Sequence, residues 1–386
     1  MVTFGVSLYP EQEKTAEIDR YLQVAATNGF TKVFTSMFSV NKSKAEIMAD
    51  FKQASELAHK HGMTIFVDVH PFVFETLGAT ATDLSIFAEM GIDGIRMDMV
   101  FGDERDVQLV DNDYGIIIEY NPMMIDAVEP IFQNIHKKQN FQVCHNFYPQ
   151  KYTALDMPFF EELSTYWHDK EVRVGAFVSS QESGTHGPWP VSDGLPSIEE
   201  HRNLPIDLQV RHFLMMGTID EIIIGNTYAS DAELESIKYI IDDLFKEEEV
   251  TDQRLANFAK SLKRKMYLRA NIEKDLSPEE RALAIDFRLN ADFGDKTSYM
   301  LRSRFGRFSK KTIHPRPVAD EYFERGDILI VNSNLAHYQG EVQIALKRMK
   351  NDGQRNRIGK ILAEEEILLN YFAARDVFIV KEQTDL

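Results

Sequence analysis

The sequence has one cysteine, no long apolar run and a shortage of basic side chains, and each shortage narrows the class of protein. One cysteine cannot form a disulfide within the chain, so nothing indicates an oxidising compartment. No stretch of about 18 apolar residues is present, so we expect no membrane-spanning helix. Lys and Arg total 43 against 61 Asp and Glu, a formal net charge of −18. Because such a surface repels nucleic acid and anionic membranes, we expect neither as a partner.

Several short motifs are also missing. The patterns GxGxxG and GxxxxGK[ST] do not occur, which argues against a nucleotide-binding doubly wound sheet. The HExxH pattern, which would indicate a zinc enzyme, is also absent. The first residues, MVTFGVSLYP, lack a basic stretch followed by a long apolar run, so we interpret them as a strand instead of a signal peptide. We therefore expect a cytoplasmic protein.

What the sequence does contain is an alternation of short apolar runs and longer amphipathic ones. Eight apolar runs lie at 4–10, 32–38, 64–71, 93–98, 114–122, 141–149, 172–180 and 221–228. Helical patterns follow the first two and end at Gly29 and Gly62; later ones lie at about 83–90, 124–138, 157–168, 207–216 and 231–246. Eight strands with mainly helical crossovers predict a (β/α)8 barrel of the TIM type over 1–248.

A different pattern begins after the acidic stretch KEEEVTDQ (246–253), which we interpret as a linker or a helix end. Candidate strands at 265–271, 298–304, 327–333, 340–349 and 376–382 follow with few helices between them. The sequence therefore predicts a second, mostly β domain over 254–386. Basic residues cluster there at 302–311 and 353–360, and Arg side chains in such clusters suit phosphate or carboxylate.

In a (β/α)8 enzyme the working side chains lie at the carboxyl ends of the strands. Five carboxylates fall near those ends: Glu11, Asp68, Asp98, Glu119 and Glu182. Cleavage of a glycoside needs two carboxyl groups, and crowding in a half-buried mouth raises the pKa of some of them. Other polar or aromatic side chains that we predict to bind substrate are Ser7, Tyr9, His70, Arg96, Asn121, His145, Asn146, Tyr148 and Asn226, together with Trp189 and Arg202 from the long loop after the seventh run.

The stretch VCHNFYP (143–149) holds the single cysteine next to a histidine. Because neighbouring side chains on a strand point to opposite faces, Cys144 and His145 cannot act together as a nucleophile and its base. We predict that His145 and Asn146 lie at the barrel rim and that Cys144 faces the helices as a small buried apolar residue.

Two alternatives to glycoside cleavage remain open from the residues alone. One is a metal-assisted isomerase or aldolase on a sugar phosphate, with Asp68, His70, Asp98 and His145 as ligands. The other is a sugar-binding protein without catalysis. We predict no cofactor and no bound metal.

The strings GVSLYPE, DVHP, GIRMD, CHNFYP, GPWPVSDGLPSIEEHR and GEVQIALK resemble a bacterial family first catalogued as a domain of unknown function, or as outer surface protein, and now linked to 6-phospho-N-acetylmuramidase activity. The resemblance covers nearly the whole chain. It implies a (β/α)8 barrel followed by a small cyclophilin-like β-barrel domain, with the active site at the barrel mouth. It also implies an intracellular glycosidase of cell-wall recycling that acts on N-acetylmuramic acid 6-phosphate linked to N-acetylglucosamine.

Such a substrate would carry two anionic groups, a phosphate and a lactyl carboxylate. Arg96, Arg202, Arg355 and Arg357 are the predicted anion-binding residues. We predict Asp98 and Glu182 as the leading catalytic pair, with Glu119 and Asp68 in reserve. The oligomeric state stays open, with a homodimer as the candidate assembly.

Overall fold

The computed structural model describes residues 2–37, 42–190, 193–245, 258–295 and 297–383. Its contacts divide the chain into two compact units, Met1–Ile240 and Ile241–Leu386. The predicted linker, 246–253, lies outside the described residues, so the predicted domain boundaries stay a prediction. Among the described residues, no helix combines the length and the apolarity that crossing a membrane requires.

The first unit is a closed barrel of eight parallel strands that pair in chain order, with β1 also pairing with β8. All eight predicted strands are confirmed, and most are shorter than the apolar runs that predicted them. The strands are β1 (Thr3–Ser7), β2 (Lys32–Ser36), β3 (Thr64–Val69), β4 (Gly94–Met97), β5 (Ile117–Tyr120), β6 (Phe141–Cys144), β7 (Val174–Val178) and β8 (Glu221–Ile224).

Helices follow the strands around the barrel. They are α1 (Thr15–Thr27), α2 (Lys44–Lys60), α3 (Pro71–Leu77), α4 (Ser85–Glu89), α5 (Glu104–Val110), α6 (Ile125–Asn134), α7 (Met157–His168), α8 (Ile206–Met216) and α9 (Asp231–Phe245). The apolar stripe predicted for α1 is the face it buries, and Gly29, with a φ of 86°, ends the turn after it. The sequence did not predict α3 and α5, because each has only 7 residues and too few turns to show a helical period.

The barrel interior is filled by side chains that alternate with outward-facing ones along each strand. Phe34, Cys144, Phe177 and Ile223, from four different strands, form one buried cluster there. Gly94 leaves room for a neighbour, since a Cβ at this position would lie 2.3 Å from the ring of Phe66. The interior is therefore packed at these positions, as in other barrels of this type.

The second unit is built on a seven-stranded sheet whose two edge strands lie close to each other, so that it forms a nearly closed barrel. The sheet order is β10 (Asn290–Ala291), β17 (Val377–Glu382), β9 (Lys265–Ile272), β16 (Arg355–Ile361), β13 (Asp327–Val331), β14 (Val342–Ala345) and β11 (Met300–Ser303). The described residues of this unit also form a two-stranded sheet, β12 (Tyr322–Phe323) with β15 (Met349–Lys350), and the helix α10 (Pro278–Ala284). The predicted fold, a (β/α)8 barrel followed by a β-barrel domain, is confirmed.

One prediction about the second unit is incomplete. Residues 353–360, which the sequence marks as a basic cluster, contain most of the central strand β16. The alternation of Arg355, Asn356, Arg357 and Ile358 carries the signal of a strand, but its outward face is charged and so does not form an apolar run.

Candidate active site

A cavity of about 120 Å³ opens at the carboxyl ends of the barrel strands. Its lining comes from the ends of β3 and β4 and from the loops after β6 and β7. The lining residues are Asp68, Arg96, Asp98, Asn146, Phe147, Pro149 and Trp189. Two carboxyl groups, one cation and two aromatic rings therefore meet at the place where barrel enzymes carry out their chemistry.

Asp68 is the buried acid of this cavity. Its Oδ1 accepts a hydrogen bond of 3.0 Å from Nη1 of Arg96, and both side chains are almost fully buried. Burial raises the pKa of Asp68 to about 6, because the opposing effect of the Arg96 charge only partly offsets the loss of hydration. Asp68 is therefore able to hold a proton near neutral pH, as a general acid must.

Asp98 is the second carboxyl group of the cavity. It lies two residues beyond Arg96, so the two side chains are on the same face of the chain. Its backbone N–H donates to the carbonyl of Val69 over 3.0 Å, which fixes the start of the loop after β4. The charge of Asp98 contributes to the raised pKa of Asp68, as expected for two carboxyl groups that share one site.

The opposite wall of the cavity is aromatic. The rings of Phe147 and Trp189 lie 6.5 Å apart between centroids, and Trp189 is 42% exposed. Asn146, which precedes Phe147, accepts a hydrogen bond from Nη2 of Arg96 through its side chain and one of 2.8 Å from Ser197 Oγ through its backbone carbonyl. An exposed indole on a fixed loop suits the apolar face of a sugar ring.

Below the cavity, buried charges continue through the barrel. Glu119 Oε1 lies 3.7 Å from Arg96 Nε, and its other oxygen lies 3.2 Å from Lys32 Nζ. Lys32 also contacts Glu221 at 2.5 Å, and Glu221 reaches the half-exposed Arg173 at 3.3 Å. Glu119, a reserve catalytic residue in the sequence prediction, does not line the cavity and belongs to this charge network.

The predicted orientation of the sixth strand is wrong. His145 faces the helix layer, where its Nε2 lies 2.9 Å from Ser164 Oγ of α7 and its ring stacks on Phe160 at 4.1 Å. Cys144 faces the barrel interior. The prediction that His145 lies at the rim and contacts substrate is therefore corrected. Burial lowers the pKa of His145 to about 3, so the ring is neutral.

The reason lies in the two faces of a parallel barrel strand, both of which are covered and apolar. Alternation shows that Cys144 and His145 point apart, but not which of them points inward. The inward face of β6 is identified by Gln142, whose amide donates to Glu119 over 2.5 Å and to Glu221 over 3.1 Å. Because Gln142 contacts charges in the barrel interior, Cys144, two positions later on the same strand, also faces the interior.

Cys144 is expected to be inert. Its Sγ is fully buried, and burial raises the pKa of the thiol well above its usual value. We expect no reaction of the folded protein with dithionitrobenzoate and one thiol per chain after unfolding. We also expect Cys144→Ala to keep its activity and to lose about 1 kcal/mol of stability from the cavity that it leaves. Rapid labelling of the folded protein, or an inactive but folded alanine variant, would contradict this placement.

Glu182, half of the predicted leading pair, lies in another place. It is exposed and lines a separate cavity of about 120 Å³ together with Ser180, Asn226 and Arg202. The structure therefore does not bring Glu182 and Asp98 into one cavity. It brings Asp68 and Asp98 together instead.

Arg202 and Asn226 have protein partners for their polar atoms. The guanidinium of Arg202 forms two hydrogen bonds to Glu199, of 2.6 and 2.7 Å, and others to backbone carbonyls, including that of Tyr148 at 3.0 Å. Asn226 is buried and bonds the backbone of Ser180 in both directions, at 2.8 and 3.1 Å. Both side chains hold the loops after β6 and β7, and the predicted contact with substrate stays a prediction.

Three predicted residues lie at the end of β1. Ser7 and Tyr9 are buried, and their hydroxyl groups donate to the carbonyls of Ile224 and Gly225 over 2.7 and 2.6 Å. These bonds join β1 to β8 at the mouth. Glu11 is half-buried, and burial raises the pKa of its carboxyl group.

The remaining predicted residues of the barrel shape its loops. Nδ1 of His70 accepts from the backbone N–H of Phe72 over 3.3 Å and caps α3. Asn121 accepts from the backbone N–H of Met123 over 3.0 Å, and the Tyr148 hydroxyl lies 3.4 Å from the sulfur of the same Met123. Contact of these three with substrate stays a prediction.

The sequence did not predict a further carboxyl group, that of Glu13, near the ends of β1 and β8. Glu13 accepts from the Tyr228 hydroxyl over 2.8 Å and from the backbone N–H of Tyr9 over 3.2 Å, and His186 lies 3.7 Å away. Burial raises the pKa of Glu13. Glu13 lies in a polar stretch beyond the end of β1, and Tyr228 is the last residue of the apolar run that predicted β8. No local sequence pattern therefore predicts that these two residues are in contact.

In the second unit, Arg355 and Arg357 are in ion pairs. Arg355 Nη1 donates to both oxygens of Asp352, over 3.1 and 3.0 Å. Arg357 contacts Glu273 at 2.7 Å and Asp320 at 2.5 Å, and the hydrogen bond to Glu273 raises its pKa. Their predicted binding of substrate anions stays a prediction.

The ligand set of the metal alternative is not assembled, because His145 points away from Asp68. Within the described ranges, no three His, Cys, Asp or Glu side chains group in a way that could hold a metal ion.

A (β/α)8 barrel whose mouth presents paired carboxyl groups beside an exposed indole has the features of a glycoside hydrolase. Two family models match, 6-phospho-N-acetylmuramidase, N-terminal, over residues 4–239 and 6-phospho-N-acetylmuramidase, C-terminal, over residues 266–381. The chain belongs to the 6-phospho-N-acetylmuramidase family and is a glycoside hydrolase.

Two solved structures resemble the whole chain. An uncharacterized protein of B. cereus is 34% identical, with a TM-score of 0.83 over 99% of this chain and 100% of its own. A conserved protein of unknown function from Enterococcus faecalis is 20% identical, with a TM-score of 0.71 over 99% and 97%, and supports the fold alone. A comparison with curated protein sequences gave no match.

Proposed function

We propose that this enzyme hydrolyses the bond between N-acetylmuramic acid 6-phosphate and N-acetylglucosamine in a disaccharide, at the cavity that Asp68 and Asp98 line. The observation that carries the proposal is that these two carboxyl groups share one cavity at the barrel mouth. The family supports the phosphorylated amino sugar as the substrate.

The two aspartates have different surroundings, which suits different roles. Asp68, with a pKa of about 6, holds the proton that the glycosidic oxygen receives as the bond breaks. Asp98 supplies the second carboxylate, which is half-exposed and either attacks the anomeric carbon or deprotonates the water that attacks it; in both cases water provides the new hydroxyl group. The indole of Trp189 packs on a sugar ring and positions the bond between the two.

Arg96 has a supporting role in this proposal. Its guanidinium is held by Asp68, by Asn146 and by the carbonyl of Cys144 at 3.4 Å. It fixes the carboxyl group of Asp68 in one orientation and adds positive potential to a cavity that receives an anionic substrate. Because muramic acid is a sugar of peptidoglycan, the proposal places the enzyme in cell-wall recycling in the cytoplasm.

The decisive test is an incubation of the full chain with the phosphorylated disaccharide, with its unphosphorylated form, and with each in the presence of EDTA. We expect mass spectrometry to show N-acetylglucosamine and N-acetylmuramic acid 6-phosphate from the phosphorylated substrate, with and without EDTA. Binding without release would favour a sugar-binding protein, and a rate abolished by EDTA would favour the metal-assisted alternative.

A further inference from the structure

We propose that the second unit carries a binding pocket of its own for a small phosphate monoester attached to a ring, such as a sugar phosphate or a nucleotide. The pocket has a volume of about 550 Å³. Its polar wall contains Arg304, Arg307, Lys310 and Lys311, and its aromatic wall contains Phe293 and Phe308. The proposal does not depend on the glycosidase function, because every one of these residues belongs to the second unit.

The charges around the pocket are unbalanced. Arg302 and Arg304 both contact the carboxylate of Asp295 through their Nη2 atoms, and Arg302 Nε also lies 4.0 Å from Glu341. Arg307 contacts Glu341 at 3.3 Å. The exposed ammonium groups of Lys310 and Lys311 form no ion pair with any residue that the structure describes. Four cations thus line the pocket, and two of them pair with Asp295 and Glu341, which Arg302 also contacts, on a chain whose net charge is −18.

The backbone at Lys310 is a second observation. This residue follows the short helical turn Phe305–Ser309 with a φ of 53°, in the left-handed region that lysine rarely adopts. Glycine or asparagine would take this conformation at lower cost. A lysine here is explained if its ammonium group has a function at the pocket edge.

The aromatic wall explains why we infer a ring next to the phosphate. Phe308 is 43% exposed. Phe293 is held in place by Phe258 and Phe305, whose ring centroids lie 4.3 and 5.2 Å from its own. Such rings offer a flat apolar surface to a sugar or a nucleobase, while guanidinium groups suit the oxygens of a phosphate. The volume is in the range of ordinary small-molecule sites.

The test uses isothermal titration calorimetry on the full chain with four probes: inorganic phosphate, N-acetylglucosamine 6-phosphate, adenosine monophosphate and unphosphorylated N-acetylglucosamine. The variant Lys310→Gln/Lys311→Gln removes the two unpaired cations. Its matched control, Lys274→Gln/Lys347→Gln, removes two exposed lysines of the same unit that do not line the pocket. Phe308→Ala tests the aromatic wall.

We expect saturable binding of at least one ring phosphate, weakened roughly tenfold or more in the pocket variant and unchanged in the control. Phe308→Ala should weaken the ring phosphates and leave inorganic phosphate unaffected. The preference between the sugar phosphate and the nucleotide identifies the ring. The proposal is overturned if no phosphate binds at millimolar concentration, or if the pocket variant binds every probe as the wild type does. Because the residues of this pocket and those of the Asp68–Asp98 cavity belong to different units, its failure leaves the glycosidase proposal intact.

Discussion

Replacing Asp68 or Asp98 with asparagine is expected to lower kcat for hydrolysis of the phosphorylated disaccharide by roughly a thousandfold. Asparagine keeps the shape of the side chain but can neither donate the proton that Asp68 supplies nor carry the charge of Asp98. Turnover measured by release of N-acetylglucosamine checks the result. Asp113→Asn is the control, because its side chain is 97% exposed and we expect it to leave turnover unchanged.

The pH dependence distinguishes the acid from its partner. A general acid must be protonated, and the pKa of Asp68 is raised to about 6, so kcat/KM should fall as the pH rises through that value. In Asp68→Asn the residual activity should no longer show this fall in kcat/KM, whereas the residual activity of Asp98→Asn should still show it. A fall in kcat/KM near pH 6 that survives in Asp68→Asn would assign it to another titrating group, either another residue or the phosphate of the substrate.

Glu182→Gln decides between the two catalytic pairs. If Asp98 works with Asp68, the Glu182 variant should be far more active than either aspartate variant, because Glu182 lines a different cavity. Wild-type turnover in Asp68→Asn together with a large loss in Glu182→Gln would restore the pair that the sequence suggested. Circular dichroism of each variant should show an intact fold.

The second large effect concerns stability. Lys32→Met is expected to lower the free energy of unfolding of the barrel by about 3–5 kcal/mol, because it removes the buried ammonium group that Glu119 and Glu221 share and leaves each carboxylate only its more distant arginine. Urea unfolding followed by tryptophan fluorescence measures it. Both tryptophans, Trp167 and Trp189, lie in the first unit, so the signal reports the barrel.

Two further variants test whether the buried charges cause the loss of stability in Lys32→Met. Lys32→Met combined with Glu119→Gln and Glu221→Gln also removes the two buried carboxylate charges and should recover at least half of the lost stability. Lys14→Met removes a lysine of an exposed pair with Glu17 and should change stability by less than about 1 kcal/mol. A triple variant no more stable than Lys32→Met would show that the charges are not the reason.

Much of the barrel could be predicted because its signal is local. Each strand is an apolar run, and the stripe of Ile18, Tyr21, Leu22 and Ala25 marks the buried face of α1. The short helices α3 and α5 escaped prediction because few turns give no measurable period. The strand β16 escaped because its half-buried, ion-paired arginines broke the apolar pattern.

The candidate site was only partly predictable, because part of it depends on contacts between residues that are far apart in the chain. The sequence determined that Asp68, Arg96 and Asp98 lie at strand ends, since strand ends follow from local apolar runs. Only the tertiary structure decided which strand ends share a cavity, that Glu182 lies apart from Asp98, and that Cys144 points inward while His145 points to α7. Alternation fixes the relative direction of neighbouring side chains, but the face that points inward depends on contacts between residues far apart in the chain, such as Gln142 with Glu221.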